Sequence, residues 1–175
     1  MKFRTIISLF LGICLLMAFA TGVAEDTVTE LTWESVQEEA EAIGGELTDI
    51  PTTNWVIFIP AEYRDRGLSE SQISAGVVLD LDSETQHVFV KGEIQPYDPE
   101  TAVETCLLKY KDAAVEKLLI NGATAYRLTP VEGKIKYIVM IDMGDWNTLE
   151  LIFYNVDEVS EPYVNIMLAS VMNKK

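Results

Sequence analysis

Three β-type runs that follow one another near the C-terminus constrain this chain most: Ala123–Pro130, Lys134–Met143 and Trp146–Val156. Alternation along Lys134–Met143 puts Ile135, Tyr137, Val139, Ile141 and Met143 on one face, and Lys134, Lys136, Ile138, Met140 and Asp142 on the other. Trp146–Val156 behaves similarly, with Leu149, Leu151 and Phe153 opposite Trp146, Ile152, Tyr154 and Val156. Each run is amphipathic at its ends and apolar on both faces in its middle. An antiparallel sheet with one wet face alternates cleanly, so these strands are expected to be covered from both sides.

Three helices are available to cover them. Trp33–Ile43 follows a possible Thr32 N-cap, carries Val36, Ala40 and Ile43 on one side, and stops at Gly44-Gly45. A second helix opens on Asp98 as N-cap and Pro99 at the first helical position; Val103, Cys106, Leu107 and Tyr110 share its apolar stripe, and its end is expected near Asp112–Ala114. The third, Pro162–Met172 after a Ser160 N-cap, is apolar around most of its circumference and therefore mostly buried. The expected fold is α+β, a layered sandwich.

The remaining elements extend or cover that unit. Glu46–Ile50 and Trp55–Ile59 read as short strands around a Pro51–Asn54 turn, and Ala61–Ser74 reads as a loop with room for a helical turn. Gly76–Leu81 and Gln86–Lys91 form a hairpin around Asp82-Ser83-Glu84-Thr85. Lys117–Ile120 leads into Asn121-Gly122, a strong hairpin-turn signal. Glu25–Glu30 reads as a mobile acidic lead-in.

The N-terminus sets the compartment. Lys2 and Arg4 precede the apolar run Ile6–Phe19, and Ala18-Phe19-Ala20 and Gly22-Val23-Ala24 both fit the small-x-small cleavage pattern. Residues 1–24 therefore read as a bacterial-style secretory signal peptide, and 25–175 as one exported domain. The apolar run is shorter than the ~20 residues a membrane span needs. Cys14 is not a lipoprotein site, because bulky Ile13 precedes it. Cleavage leaves Cys106 as the only cysteine, so packing rather than a disulfide holds the domain. It also leaves 11 basic residues against 28 acidic ones, a net charge near −17. That field repels nucleic acid and anionic lipid.

Catalytic chemistry is thin. His87 is the only histidine, which excludes multi-histidine metal sites, and it falls in a hairpin strand. Cys106 lies on the apolar face of its helix, where cysteine acts as a small hydrophobe. Asp80, Asp82 and Glu84 project from one face of an extended strand and are the weak candidates for a divalent cation. As an EF-hand loop they fail twice, at Thr85 and Lys91. Arg64 and Arg66 are expected to pair with nearby carboxylates, Glu34, Glu38, Glu39 and Glu41 form a solvated helix face, and Asp142 and Asp145 serve the turn around Gly144. Trp55, Tyr63, Tyr97 and Trp146 lie at element ends, placed to line a groove. No P-loop, dinucleotide fingerprint or G-x-S-x-G is present.

The order of elements over Glu46–Met172 resembles the PsbP-like group, named for an extrinsic photosystem II subunit and sharing its architecture with a Ran-binding nuclear-import protein. Trp55-Val56-Ile57-Phe58-Ile59-Pro60, Ile120-Asn121-Gly122-Ala123 and Leu168-Ala169-Ser170 carry the resemblance. It implies an α/β/α sandwich with a central, mainly antiparallel sheet, and mostly non-catalytic binding or assembly roles; no functional residue maps across. The expected function is an exported, non-catalytic domain without a cofactor that binds an extracytoplasmic protein or small ligand. The alternatives are a divalent-cation-binding accessory protein and an enzyme using Cys106 or His87.

Overall fold

The computed structural model describes residues 28–174. The signal-peptide segment, its two cleavage motifs and Cys14 lie outside them, as does Lys175. In chain order the elements are β1 (Thr29–Leu31), α1 (Trp33–Ile43), β2 (Gly45–Asp49), β3 (Trp55–Pro60), β4 (Arg64–Asp65), α2 (Glu70–Ser74), β5 (Val77–Ser83) and β6 (Val88–Gln95). There follow α3 (Pro99–Lys109), β7 (Ala114–Ile120), β8 (Ala123–Thr129), β9 (Ile135–Gly144), β10 (Asn147–Tyr154), α4 (Glu161–Ala169) and β11 (Met172–Asn173). Among the described residues this is a mixed α+β fold with one large sheet and four helices.

The large sheet has the order β1-β7-β8-β9-β10-β6-β5-β4, and a second sheet has the order β11-β3-β2. The three runs that dominate the sequence form the antiparallel meander β8-β9-β10, with Leu128 opposite Ile138, and Ile138 opposite Ile152. Asn121 and Gly122 both take positive φ, 48° and 80°, between β7 and β8. This is the mirror-image turn whose twist suits a hairpin. The β5–β6 hairpin joins the far side of the meander through β10.

Burial on both faces follows the alternation. One hydrophobic cluster joins Val139, Ile141, Leu151 and Phe153 to Ile57 of β3 and to Val164, Met167 and Leu168 of α4. A second joins Ile138, Met140 and Leu128 to Ala102 and Val103 of α3. Residues 138 and 140 alternate with 139 and 141, so the two clusters meet opposite faces of β9. Burying each large aliphatic side chain contributes about 1.5–3 kcal/mol. A third cluster sets Ala40 of α1 against Phe58 and Ile166.

Several local expectations change. Part of the acidic lead-in is structured: Thr29–Leu31 pairs with β7 in parallel, and Leu31 packs on the main cluster. Ala61–Ser74 holds the strand β4 beside the anticipated helical turn, α2, which a Ser69/Gln72 capping box starts. The α3 helix stops at Lys109, because Ala114 already pairs with Thr129 in the β7–β8 ladder. α4 ends at Ala169, and Met172 pairs with Val56 instead of continuing the helix. Neither Thr32 nor Ser160 makes a side-chain cap bond. The free N–H of Trp33 is met by the Asn121 side-chain oxygen at 2.9 Å, and Ser160 Oγ bonds Asp157 Oδ1 at 2.7 Å.

The three motifs that carry the resemblance converge. Asn121 Nδ2 donates to the carbonyls of Ala169 (2.8 Å) and Val171 (2.9 Å), and Ser170 Oγ accepts the Phe58 N–H (2.7 Å) while donating to Met167 O (2.6 Å). Ser170 is fully buried, and these two bonds meet its hydrogen-bonding needs.

Candidate functional site

The α3 side of the large sheet carries the chemistry. Pairing places Glu150 between Met140 of β9 and Glu93 of β6, Ile152 between Ile138 and Lys91, and Tyr154 between Ile135 and Phe89. Directly opposed residues share a face. α3 lies over β8, β9 and β10 on this side, and between the helix and β10 runs a groove of about 300 Å³. Its floor is Ile138, Met140 and Ile152; Ala102 and Cys106 form the helical wall. Glu150, Gln95 and Tyr97 stand at one end, and Lys109, Tyr110 and Tyr154 at the other. Glu150 and Tyr154 are four strand residues apart, about 13 Å.

The carboxylate end is a network. Gln95 Nε2 donates to Glu93 Oε2 at 3.2 Å and to Glu150 Oε2 at 3.1 Å, and Tyr97 OH donates to Gln95 Oε1 at 3.2 Å. Thr148 Oγ1 fixes the approach of Tyr97 by donating to its carbonyl at 2.7 Å. Lys91 forms an ion pair with Glu93. Among the described residues Glu150 has no ion-pair partner; Gln95 is its hydrogen-bond donor. Burial raises the Glu150 pKa above the usual carboxylate range, and the Glu93 charge adds to this; the Gln95 bond and the charges of Lys91 and Lys109 act the other way. The Lys109 ammonium lies over the Tyr110 ring, 4.9 Å from its centre, at the opposite end of the groove.

The residues singled out from sequence fall in different places. Cys106 is half-buried in the groove wall, and desolvation pushes its thiol up to about 11. A thiol so placed is a weak nucleophile at neutral pH. His87 is not in a strand: it occupies the β5–β6 turn at φ 54°, exposed, on a different part of the molecule from the groove lining. Asp80, Asp82 and Glu84 do line up, and each is engaged by an arginine. Arg64 Nε bonds Asp82 Oδ1 at 2.9 Å and its other arm pairs with Glu84, while Arg66 Nη1 sits 3.5 Å from Asp80 Oδ1. Gln72 Nε2 also donates to Asp80. A cation there competes with two guanidinium groups. Asp142 accepts the Gly144 N–H at 2.8 Å and Asp145 sits at φ 52°, both serving the turn.

Of the four end aromatics, Tyr97 lines the groove. Trp55 is buried at the edge of a separate cleft with Thr52 and Asp145; Trp146 is exposed at the β9–β10 tip. Tyr63 is buried, and its hydroxyl has no hydrogen-bond partner among the described residues. Sequence reasoning missed Glu150, Glu93, Gln95 and Tyr154. Glu150 did leave a signal: it is the lone acid inside the apolar run Leu149–Tyr154, on the Ile152 face.

Among the described residues, no helix is long and apolar enough to cross a membrane. No family model matches the chain, and no curated protein matches it. Among solved structures it is similar to the solution structure of cyanobacterial PsbP (CyanoP) from Synechocystis sp. PCC 6803. The match has a TM-score of 0.53 at 9% identity, and it covers 75% of this chain and 94% of that one. At that identity the likeness speaks to fold, and the element order, the paired motifs and the superposition agree: the chain has a PsbP-like fold.

Proposed function

We propose that the protein is an exported, non-catalytic binding domain that holds its ligand in the groove between α3 and β10. The groove itself carries this reading: an apolar floor with a few convergent polar groups at its ends is the usual form of a small-ligand site. A PsbP-like fold is compatible with a non-catalytic accessory role. The separation of His87 from Cys106, and the raised thiol pKa of the latter, favour binding over catalysis. The layering belongs to the same reading: α3 covers one face of the sheet, α4 with β3 covers the other, and the whole is an α/β/α sandwich. Export rests on the residue 1–24 pattern, and the acidity disfavours nucleic-acid partners.

A screen of small water-soluble compounds by melting temperature tests the groove. Ligands that stabilise the wild type are expected to lose their effect in Thr105→Trp, which overhangs the groove from the exposed side of α3. Equal stabilisation of both proteins would contradict the reading. Export is tested by mass spectrometry of the mature protein, with an N-terminus at Thr21 or Glu25 expected.

A further inference from the structure

Glu150 is the part of the groove whose chemistry is incomplete. Its neighbours are provided for: Glu93 has Lys91, and Lys109 rests on Tyr110 at the far end. Glu150 faces the groove with a single amide donor, beside a like charge on the adjacent strand. A partly buried carboxylate with no direct ion-pair partner among the described residues is costly, and one well-placed cation relieves both the desolvation and the repulsion. Beyond Glu150 the floor turns apolar through Met140, Ile152 and Ile138. A ligand matched to this surface carries a positive head and a hydrocarbon chain on the same molecule.

We propose that the groove binds an alkylammonium group, its nitrogen held by the Glu150 carboxylate beside Gln95 and Tyr97 and its chain lying on Met140, Ile152 and Ile138. This rests on the groove being the binding site and adds the class of ligand. A bare metal ion would leave the apolar floor unused, and an alkyl carboxylate would meet Glu150 with the wrong sign. The same head group occurs on free aliphatic amines and on lysine side chains of a partner protein.

Isothermal calorimetry on the full mature chain with hexylammonium, hexan-1-ol, hexanoate and Nα-acetyl-lysine N-methylamide tests this. Hexylammonium is expected to bind about tenfold or more tighter than hexanol, the scale of one hydrogen bond to a charged group, and hexanoate weakest. Glu150→Gln is expected to erase that preference, bringing hexylammonium to within about twofold of hexanol. Binding by the lysine derivative supports a protein-borne source; its absence beside hexylammonium binding supports a free amine. The inference is overturned if hexylammonium and hexanol bind alike, or if Glu150→Gln keeps the preference. Hexanol binding that Thr105→Trp abolishes would leave the groove standing as a site without a cation preference. Binding of all four probes unaffected by Thr105→Trp would remove the groove as well.

Discussion

Glu150 and Glu93 face each other directly across β10 and β6, and the side-chain nitrogen of Gln95 donates to both. Two like charges in opposed strand positions weaken a sheet, and Lys91 pairs with only one of them, Glu93. Neutralising one should strengthen the fold. Glu150→Gln is expected to gain about 0.5–1 kcal/mol at pH 7 in urea unfolding, the scale of a cross-strand pair.

The same substitution has a defined pH signature. An acid whose native pKa is raised holds its proton more readily folded than unfolded, so its charge is a penalty on the native state. The penalty is absent well below the unfolded value, about 4.3 for glutamate, grows as pH rises from there to the higher native value, and is complete above it. The groups around it are Glu93, Lys91, Lys109 and the Gln95 amide. The advantage of Glu150→Gln over wild type should therefore be largest near neutrality and vanish below about pH 4. Paired unfolding curves across that range check it, and an advantage that persists in acid would count against the Glu150 environment described.

Asn121 ties the β7–β8 turn to two helices: its oxygen accepts from Trp33 at the start of α1, and its nitrogen donates to the carbonyls of Ala169, the last residue of α4, and Val171 just beyond it. Asn121→Ala also puts a Cβ-bearing residue without a local polar group at φ 48°. A loss of about 2–4 kcal/mol is expected from the lost bonds and the backbone cost together. Asn121→Gly keeps the turn and loses only the bonds, so it should fall between wild type and Asn121→Ala in chemical denaturation.

Ser170→Ala leaves the buried Phe58 N–H without its acceptor. A destabilisation of about 1–3 kcal/mol is expected, with faster hydrogen exchange at Phe58 as the local readout. Unchanged exchange there would mean that another acceptor takes over.

Cys106 should react slowly. With its thiol pushed up to about 11 and half-buried in the groove wall, labelling by a disulfide reagent at pH 8 is expected to run about a hundredfold slower than in urea. Rapid labelling of the native protein would contradict the wall as described.

The meander was legible because alternation is local: Tyr137, Val139 and Ile141 against Ile138 and Met140 state two buried faces within five residues. The Asn121-Gly122 turn and the Asp98-Pro99 helix start are equally local, and Asp98 does accept the Thr101 N–H. The groove was not legible, because its residues come from β6, α3, β9 and β10, and only strand pairing sets Glu93 beside Glu150. Trp33 shows the same limit at small scale: its N-cap acceptor is Asn121, far along the chain, rather than the adjacent Thr32.

The groove is tested most directly by isoleucine-methyl NMR during titration with hexylammonium. Ile138 and Ile152 form its floor, Ile141 lies on the opposite face of the sheet, and Ile94 lines the other clefts near Trp55 and Leu68. Saturable shifts at Ile138 and Ile152 with Ile141 and Ile94 still are expected. Shifts centred on Ile94 or Ile141, with the groove floor silent, would contradict it.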